Sequence, residues 1–151
     1  MKAVLQRVLN ASVTIEGETV GQIGPGYMIL LGVIEGDSKA EADLLAQKIV
    51  HLRVFEDENG KMNRSVLDTG GEILLVSQFT LAADCSRGRR PSFIRAAAPA
   101  EANALYEYTL ARLEEETGKP VARGVFGADM KVALINDGPV TILLDTDDWK
   151  K

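Results

Sequence analysis

One stretch constrains the fold more than any other: Leu74-Leu75-Val76-Ser77-Gln78-Phe79-Thr80-Leu81. An apolar run of β-forming residues reads as a buried strand. Here the run breaks into Ser77, Gln78 and Thr80, so polar groups stand where the strand gives out. Such groups are either satisfied within the core or form the floor of a site. The segment that follows, Ala82 to Pro91, is small, polar and basic. Far along the chain, Asn136-Asp137-Gly138-Pro139-Val140-Thr141 places a second set of polar and backbone groups at a strand end.

The remaining elements arrange themselves around that strand. Ala3–Val8 and Ser12–Ile15 read as strands, Glu16-Gly17-Glu18 as a turn, and Thr19–Ile23 as the returning strand. Gly24-Pro25-Gly26 turns the chain into a buried strand over Tyr27–Ile34. Ser38 to about Arg53 is predicted as a helix, opened by the capping box Ser38-Lys39-Ala40-Glu41. Ala42, Leu45, Ile49 and Leu52 fall on one face of it. Asp57–Lys61 signals a hairpin or loop, Met62–Leu67 a short strand, and Asp68-Thr69-Gly70-Gly71 a turn. Ala100 to about Thr117 forms a second helix, stopped by Gly118 and Pro120. Val121–Val125, Lys131–Ile135 and Val140–Leu144 close the sheet, and Asp145–Lys151 reads as a polar tail that frays. Many strands with short connections and two inserted helices suit hairpins better than repeated βαβ units. The expected fold is α+β: one domain over residues 1–151, with a curled, largely antiparallel or mixed sheet and two main helices.

Bulk properties narrow the function. A chain of 151 residues, 46% hydrophobic and 26% charged, has the size and balance of one globular domain. The single cysteine, Cys85, cannot close an internal disulfide. Gln6 and Arg7 interrupt the start too early for a signal-peptide apolar region, and Tyr27–Ile34 is too short to span a bilayer. A cytoplasmic location is therefore expected. A net charge of −5 opposes a general grip on nucleic acid, which needs Lys and Arg against phosphates. Any RNA contact must be local, and Arg87, Arg89 and Arg90 are the candidates beside Ser77–Thr80.

Several chemistries drop out. One His and one Cys cannot supply the usual zinc sites, and the acidic residues lack calcium-loop spacing. There is no Gly-x-Ser-x-Gly elbow. His51, at a helix end, is read as a surface or helix-end residue rather than a triad member. Hydroxyls, amides and backbone groups remain. Thr80, with Ser77 second, could serve as a nucleophile, but a threonine hydroxyl needs an adjacent base and the sequence offers none. The alternative is that Ser77 and Thr80 fix the loop while backbone N–H groups near Gln78 and Phe79 face the ligand.

Ser77-Gln78-Phe79-Thr80 and Asn136-x-Gly138-Pro139-x-Thr141 together resemble the paired signatures of the D-aminoacyl-tRNA deacylase family. The resemblance runs from Met1–Val8 through Arg90–Phe93 and Phe126–Ala128 to Asp145. It implies a barrel-like sheet assembled as a homodimer, with no metal or other cofactor. The implied reaction is hydrolysis of the ester in D-aminoacyl-tRNA; a backbone-only gate would also let mischarged glycyl-tRNA through, because glycine has no L side chain to clash. Ser77, Gln78, Phe79 and Thr80 would form the catalytic segment, and the terminal adenosine's 2′-hydroxyl would assist. A cis Gly138–Pro139 bond would cross into the partner's site and reject L substrates through its backbone carbonyls. Arg7 would brace that element, and Phe126 and Met130 would line the adenosine and aminoacyl pocket. Two rivals stand beside this reading: an editing enzyme for L-aminoacyl esters on the same scaffold, and a non-catalytic RNA or small-ligand binding protein.

Overall fold

The computed structural model describes residues 1–150. Its sheet is built on one long strand, β1 (Lys2–Ile15). β2 (Glu18–Ile23) and β3 (Gly26–Gly32) share one edge of β1, both antiparallel to it. β8 (Lys131–Asp145) runs antiparallel along the other edge. β6 (Glu72–Ser77) and the short β7 (Ala122–Arg123) then extend the sheet from β3 in parallel. The order is β2-β1-β3-β6-β7, with β8 on β1, and β7 curls round to pack beside β2. The result is a mixed, nearly closed barrel. A separate hairpin pairs β4 (Phe55–Glu56) with β5 (Met62–Arg64).

The centre of β6, Ile73–Val76, is uniformly apolar because both of its faces are covered. Ile73 and Leu75 join a core with Leu45 and Ile49 of α1 (Lys39–His51) and Tyr106 and Leu113 of the long helix α3 (Pro99–Thr117). Leu74 and Val76 point the other way, into a second core with Val8, Val13, Ile23 and Met28 inside the curl. A strand covered on both faces has no solvent side to mark with polar residues.

Several local readings change. The two strands expected over Ala3–Val8 and Ser12–Ile15 are halves of β1, and the Lys131–Ile135 and Val140–Leu144 strands are halves of β8. The Leu74–Leu81 strand stops at Ser77, and Phe79–Ala82 winds into a single 3-10 turn. Ser65 and Asp68 form a second capping box, so part of the expected Met62–Leu67 strand becomes the short helix α2 (Val66–Thr69). The capping box at Ser38 forms as expected: Glu41 accepts from the Ser38 N–H at 2.9 Å and the Ser38 hydroxyl at 2.6 Å. The polar tail is not loose through residue 150. Thr146–Trp149 makes a 3-10 turn, and Thr146 is buried, donating its N–H to the Met1 carbonyl at 3.0 Å. The Met1 amine donates to the Thr146 hydroxyl and to Asp37, each at 2.9 Å. Residue 151 lies outside the described residues.

Two buried tyrosines differ in a testable way. Tyr106 donates to the Leu75 carbonyl at 2.7 Å, whereas the Tyr27 hydroxyl, fully buried against Phe55, has no partner among the described residues. Tyr106→Phe is expected to cost about 1 kcal/mol, while Tyr27→Phe should be neutral or slightly stabilising, as read by urea unfolding. The Ser38 hydroxyl beside Glu41 holds that carboxyl down at about 2, with the backbone and Lys150 assisting. Glu41 therefore stabilises the fold above its unfolded value of 4.5, and that contribution is lost as pH falls towards 2. Unfolding of Glu41→Gln between those pH values should show a shallower acid dependence than wild type.

Candidate active site

The Ser77–Thr80 segment sits where β6 passes from paired strand to turn. Ser77 is the last residue in register with β3, opposite Leu31. The Gln78 N–H then donates to the Leu31 carbonyl at 2.8 Å, so that donor is committed to the fold. Leu81 N–H bonds back to the Gln78 carbonyl and Ala83 N–H to the Thr80 carbonyl. The Phe79 and Thr80 N–H groups take no part in these bonds among the described residues. Of the backbone donors near Gln78 and Phe79, those of Phe79 and Thr80 are the ones left for a ligand. Gln78 amide nitrogen also donates to the Thr80 hydroxyl, which gives that side chain a place in the turn.

Val76, Ser77, Gln78 and Phe79 border a cavity of about 680 Å³. Phe126 and Met130 line its far side, so the structure brings both together with the first motif. Phe93 meets Phe79 edge-on, with ring centroids 5.1 Å apart, at the same rim. Phe126 leans on Tyr106, and the Met130 sulfur fills the space that a Cβ on Gly124 would need. Ala96, Ala97 and Ala98, with Ala102 on α3, supply a wall of small side chains. Sequence reasoning missed this wall, because consecutive alanines carry no chemical signature; their position before a Pro-initiated helix was the available signal. Asp129 is the one ionisable side chain on the lining, and it pairs with Lys131 at 3.2 Å. Thr80 itself does not border the cavity, and among the described residues no carboxylate or imidazole bonds to it.

The second motif lies elsewhere. Gln6 pairs with Thr141 and Val8 with Asn136, so a single β1 residue, Arg7, faces four residues of β8, Asp137 to Val140. Those four bow out of the ladder with Gly138 and Pro139 exposed and the peptide bond between them cis. Arg7 is not a surface charge. Only 5% of its side chain is exposed, and it donates to the Asp137 carbonyl at 3.0 Å and the Val54 carbonyl at 2.7 Å. The Asp137 and Glu56 carboxylates lie 3.6 and 3.7 Å from its guanidinium. Neither Arg7, Gly138 nor Pro139 lines the cavity beside their own chain's Ser77–Phe79.

The other candidates fall away from both motifs. His51 lies on the outer face of α1, beside Lys48 and Trp149, and takes no part in either. Arg87, Arg89 and Arg90 are exposed on the loop after the first motif. Cys85 is free and exposed on the same loop. Among the described residues, no three His, Cys, Asp or Glu side chains cluster as metal ligands would. No helix of the described residues is long and apolar enough to cross a membrane.

The family described as D-Tyr-tRNA(Tyr) deacylase matches residues 4–145. The chain belongs to that family. A D-aminoacyl-tRNA deacylase of Geotalea uraniireducens is 60% identical over 146 residues, covering 97% of this chain and 94% of the relative. One of Ruegeria pomeroyi is 59% identical over 145 residues, covering 96% and 99%. A solved structure titled c-Myc DNA Unwinding Element Binding Protein superposes with a TM-score of 0.90 at 44% identity, covering 96% of this chain and 98% of that one. The family match spans both motifs, the cavity and the bowed segment of β8.

Gly32 tests how tightly the Phe79–Ala82 turn is seated. A Cβ there would stand 2.9 Å from Leu81 Cβ and 3.0 Å from the Gln78 carbonyl oxygen. Gly32→Ala must push the turn away from β3. We expect a folded protein whose deacylation rate falls by about tenfold or more, measured by single-turnover kinetics, because small displacements of positioning groups cost that much.

Proposed function

We propose that this deacylase family member hydrolyses the ester of D-aminoacyl-tRNA, releasing a free D-amino acid and intact tRNA, with the cavity beside Ser77–Phe79 as its reaction site. The observation that carries this is the uncommitted N–H of Phe79, on a turn at a cavity whose lining is mostly apolar, with the uncommitted N–H of Thr80 next to it in the chain. Water attacks the ester carbonyl to give a tetrahedral oxyanion. Its collapse breaks the bond to the ribose oxygen of the terminal adenosine, which takes up a proton given up by the water, and releases the amino acid's carboxylate. One well-aimed backbone donor on such an oxyanion is worth about 3–4 kcal/mol. An aminoacyl ester is already activated, so positioning and oxyanion stabilisation supply most of what the protein must add. The adenosine's own 2′-hydroxyl assists, which is why the site needs no acid–base side chain. Thr80 is structural on this reading, and its bond from Gln78 supports the turn.

Phe126 and Met130 hold the aminoacyl-adenosine, and Arg87, Arg89 and Arg90 meet the neighbouring phosphates. The working unit is a homodimer in the cytoplasm. The exposed Gly138–Pro139 tip of one protomer enters its partner's cavity, consistent with its absence from its own chain's lining. Its backbone carbonyls face the substrate's α-carbon and exclude an L side chain whatever its chemistry, while D side chains point away. This is selection by exclusion. Glycyl esters, with no side chain to exclude, pass the gate and are hydrolysed too.

A paired assay on D-Tyr-tRNA and L-Tyr-tRNA tests the reading, with chelator-treated enzyme and Thr80→Ala alongside. The D ester alone should be cleaved, the chelator should change nothing, and Thr80→Ala should retain activity within about tenfold of wild type, since it removes no oxyanion donor. Cleavage of L-Tyr-tRNA alone would instead identify an L-editing enzyme. Binding of tRNA without turnover would leave a non-catalytic RNA-binding protein. Complete loss in a folded Thr80→Ala would make that hydroxyl the nucleophile.

A further inference from the structure

The bowed segment of β8 is four residues long and faces one residue of β1, so ordinary ladder hydrogen bonds cannot set its shape. Its tip, Gly138 and Pro139, is exposed. What holds its two legs together is a side-chain network. The Gln6 amide oxygen accepts from the Asn136 amide nitrogen on the leg entering the bow and from the Thr141 hydroxyl, at 2.6 Å, on the leg leaving it. The Asn136 amide nitrogen also reaches the Thr141 hydroxyl at 3.5 Å, and the Asn136 carbonyl oxygen accepts the Val140 N–H at 2.8 Å.

The direction of these bonds is fixed by the backbone. The Val140 N–H can only donate, so Asn136 must turn its oxygen towards it and its nitrogen away. Against that nitrogen Gln6 must present oxygen, not nitrogen. A carbonyl-bearing side chain of this length is therefore required at residue 6, beyond any preference for a β-former. Gln6 and Arg7 are successive strand residues and point to opposite faces of the sheet. Arg7 takes the Asp137 carbonyl from one face, and Gln6 ties Asn136 to Thr141 from the other.

We infer that Gln6 is a positioning residue for stereochemical discrimination: by joining the two legs of the bow through one amide oxygen, it fixes where the Gly138–Pro139 tip stands. This rests on the reading of that tip as the gate against L substrates. Rejecting an L side chain requires the tip to hold its place against a bulky group. Without the tie, the legs can part and the tip yields.

The test is the ratio of kcat/KM for D-Tyr-tRNA to that for L-Tyr-tRNA, in variants confirmed folded and of wild-type oligomeric state. Gln6→Met matches the length and removes the acceptor; the ratio should fall by about tenfold or more. Gln6→Glu keeps an acceptor for both donors and should restore the ratio to within about threefold of wild type. Should Gln6→Met fail to fold, Thr141→Val removes one donor at nearly constant shape and should lower the ratio in the same direction. An unchanged ratio in Gln6→Met, or an equal fall in Gln6→Met and Gln6→Glu, overturns the inference. Gly138→Ala separates the two levels of the argument, because its Cβ would stand 2.7 Å from Val140 Cγ2 and 3.1 Å from Arg7 Nη2. If Gly138→Ala shifts the ratio and Gln6→Met does not, the role of Gln6 alone fails. If neither shifts it, the gate reading fails with it.

Discussion

Burial of β6 on both faces is the constraint from which the rest of the architecture follows. Ile73 and Leu75 need helices against them, while Leu74 and Val76 need a second apolar layer on the opposite side. A flat sheet with helices on one face could satisfy only half of that demand. Curling the sheet until β7 lies beside β2 lets it bury its inner face against itself. α1 and α3 then cover the outer face. The cavity beside Ser77–Phe79, proposed above as the reaction site, lies where this doubly buried strand runs out. Beyond the Gln78 N–H the chain makes no further bond to β3, tightens into a turn, and leaves the Phe79 N–H beside a hollow.

The chemistry of that hollow follows from its lining. Apolar and small groups make most of the wall, and Asp129 is engaged by Lys131. Such surroundings strengthen any hydrogen bond offered to a developing charge, since little water competes for it. Arg7 shows the opposite economy of means. A buried guanidinium would be strongly destabilising alone, but two backbone carbonyls and two nearby carboxylates satisfy it. In doing so it links the β4–β5 hairpin to the bow in β8.

Much of this was legible in the sequence, and the exceptions have physical reasons. Hydrophobic patterning located β6, and the Ser38–Glu41 capping box located the start of α1, because both are local signals. The two motifs named the residues that the fold then places at the cavity and at the bow. Arg7 could not be distinguished from an edge charge, because its burial depends on Val54 and Asp137, 47 and 130 residues away. The C-terminal segment reads as polar and loose, yet Thr146 is held by the backbone and amine of Met1, a contact across nearly the whole chain. The sequence reads β8 as two strands, with Asn136–Thr141 standing at a strand end. That stretch holds an excursion within one strand, and only the pairing with β1 reveals the continuity.

The bow also bears on how the molecule survives at high concentration. β8 pairs with β1 on one side only, which leaves a fifteen-residue strand with an open edge within the single chain. An uninterrupted edge of that length is a template for indiscriminate strand addition and fibre growth. Asp137–Val140 divides it into two short runs that no straight foreign strand can bridge, and Pro139 removes a donor at the break. The break in the ladder thereby shields the open edge from strand addition.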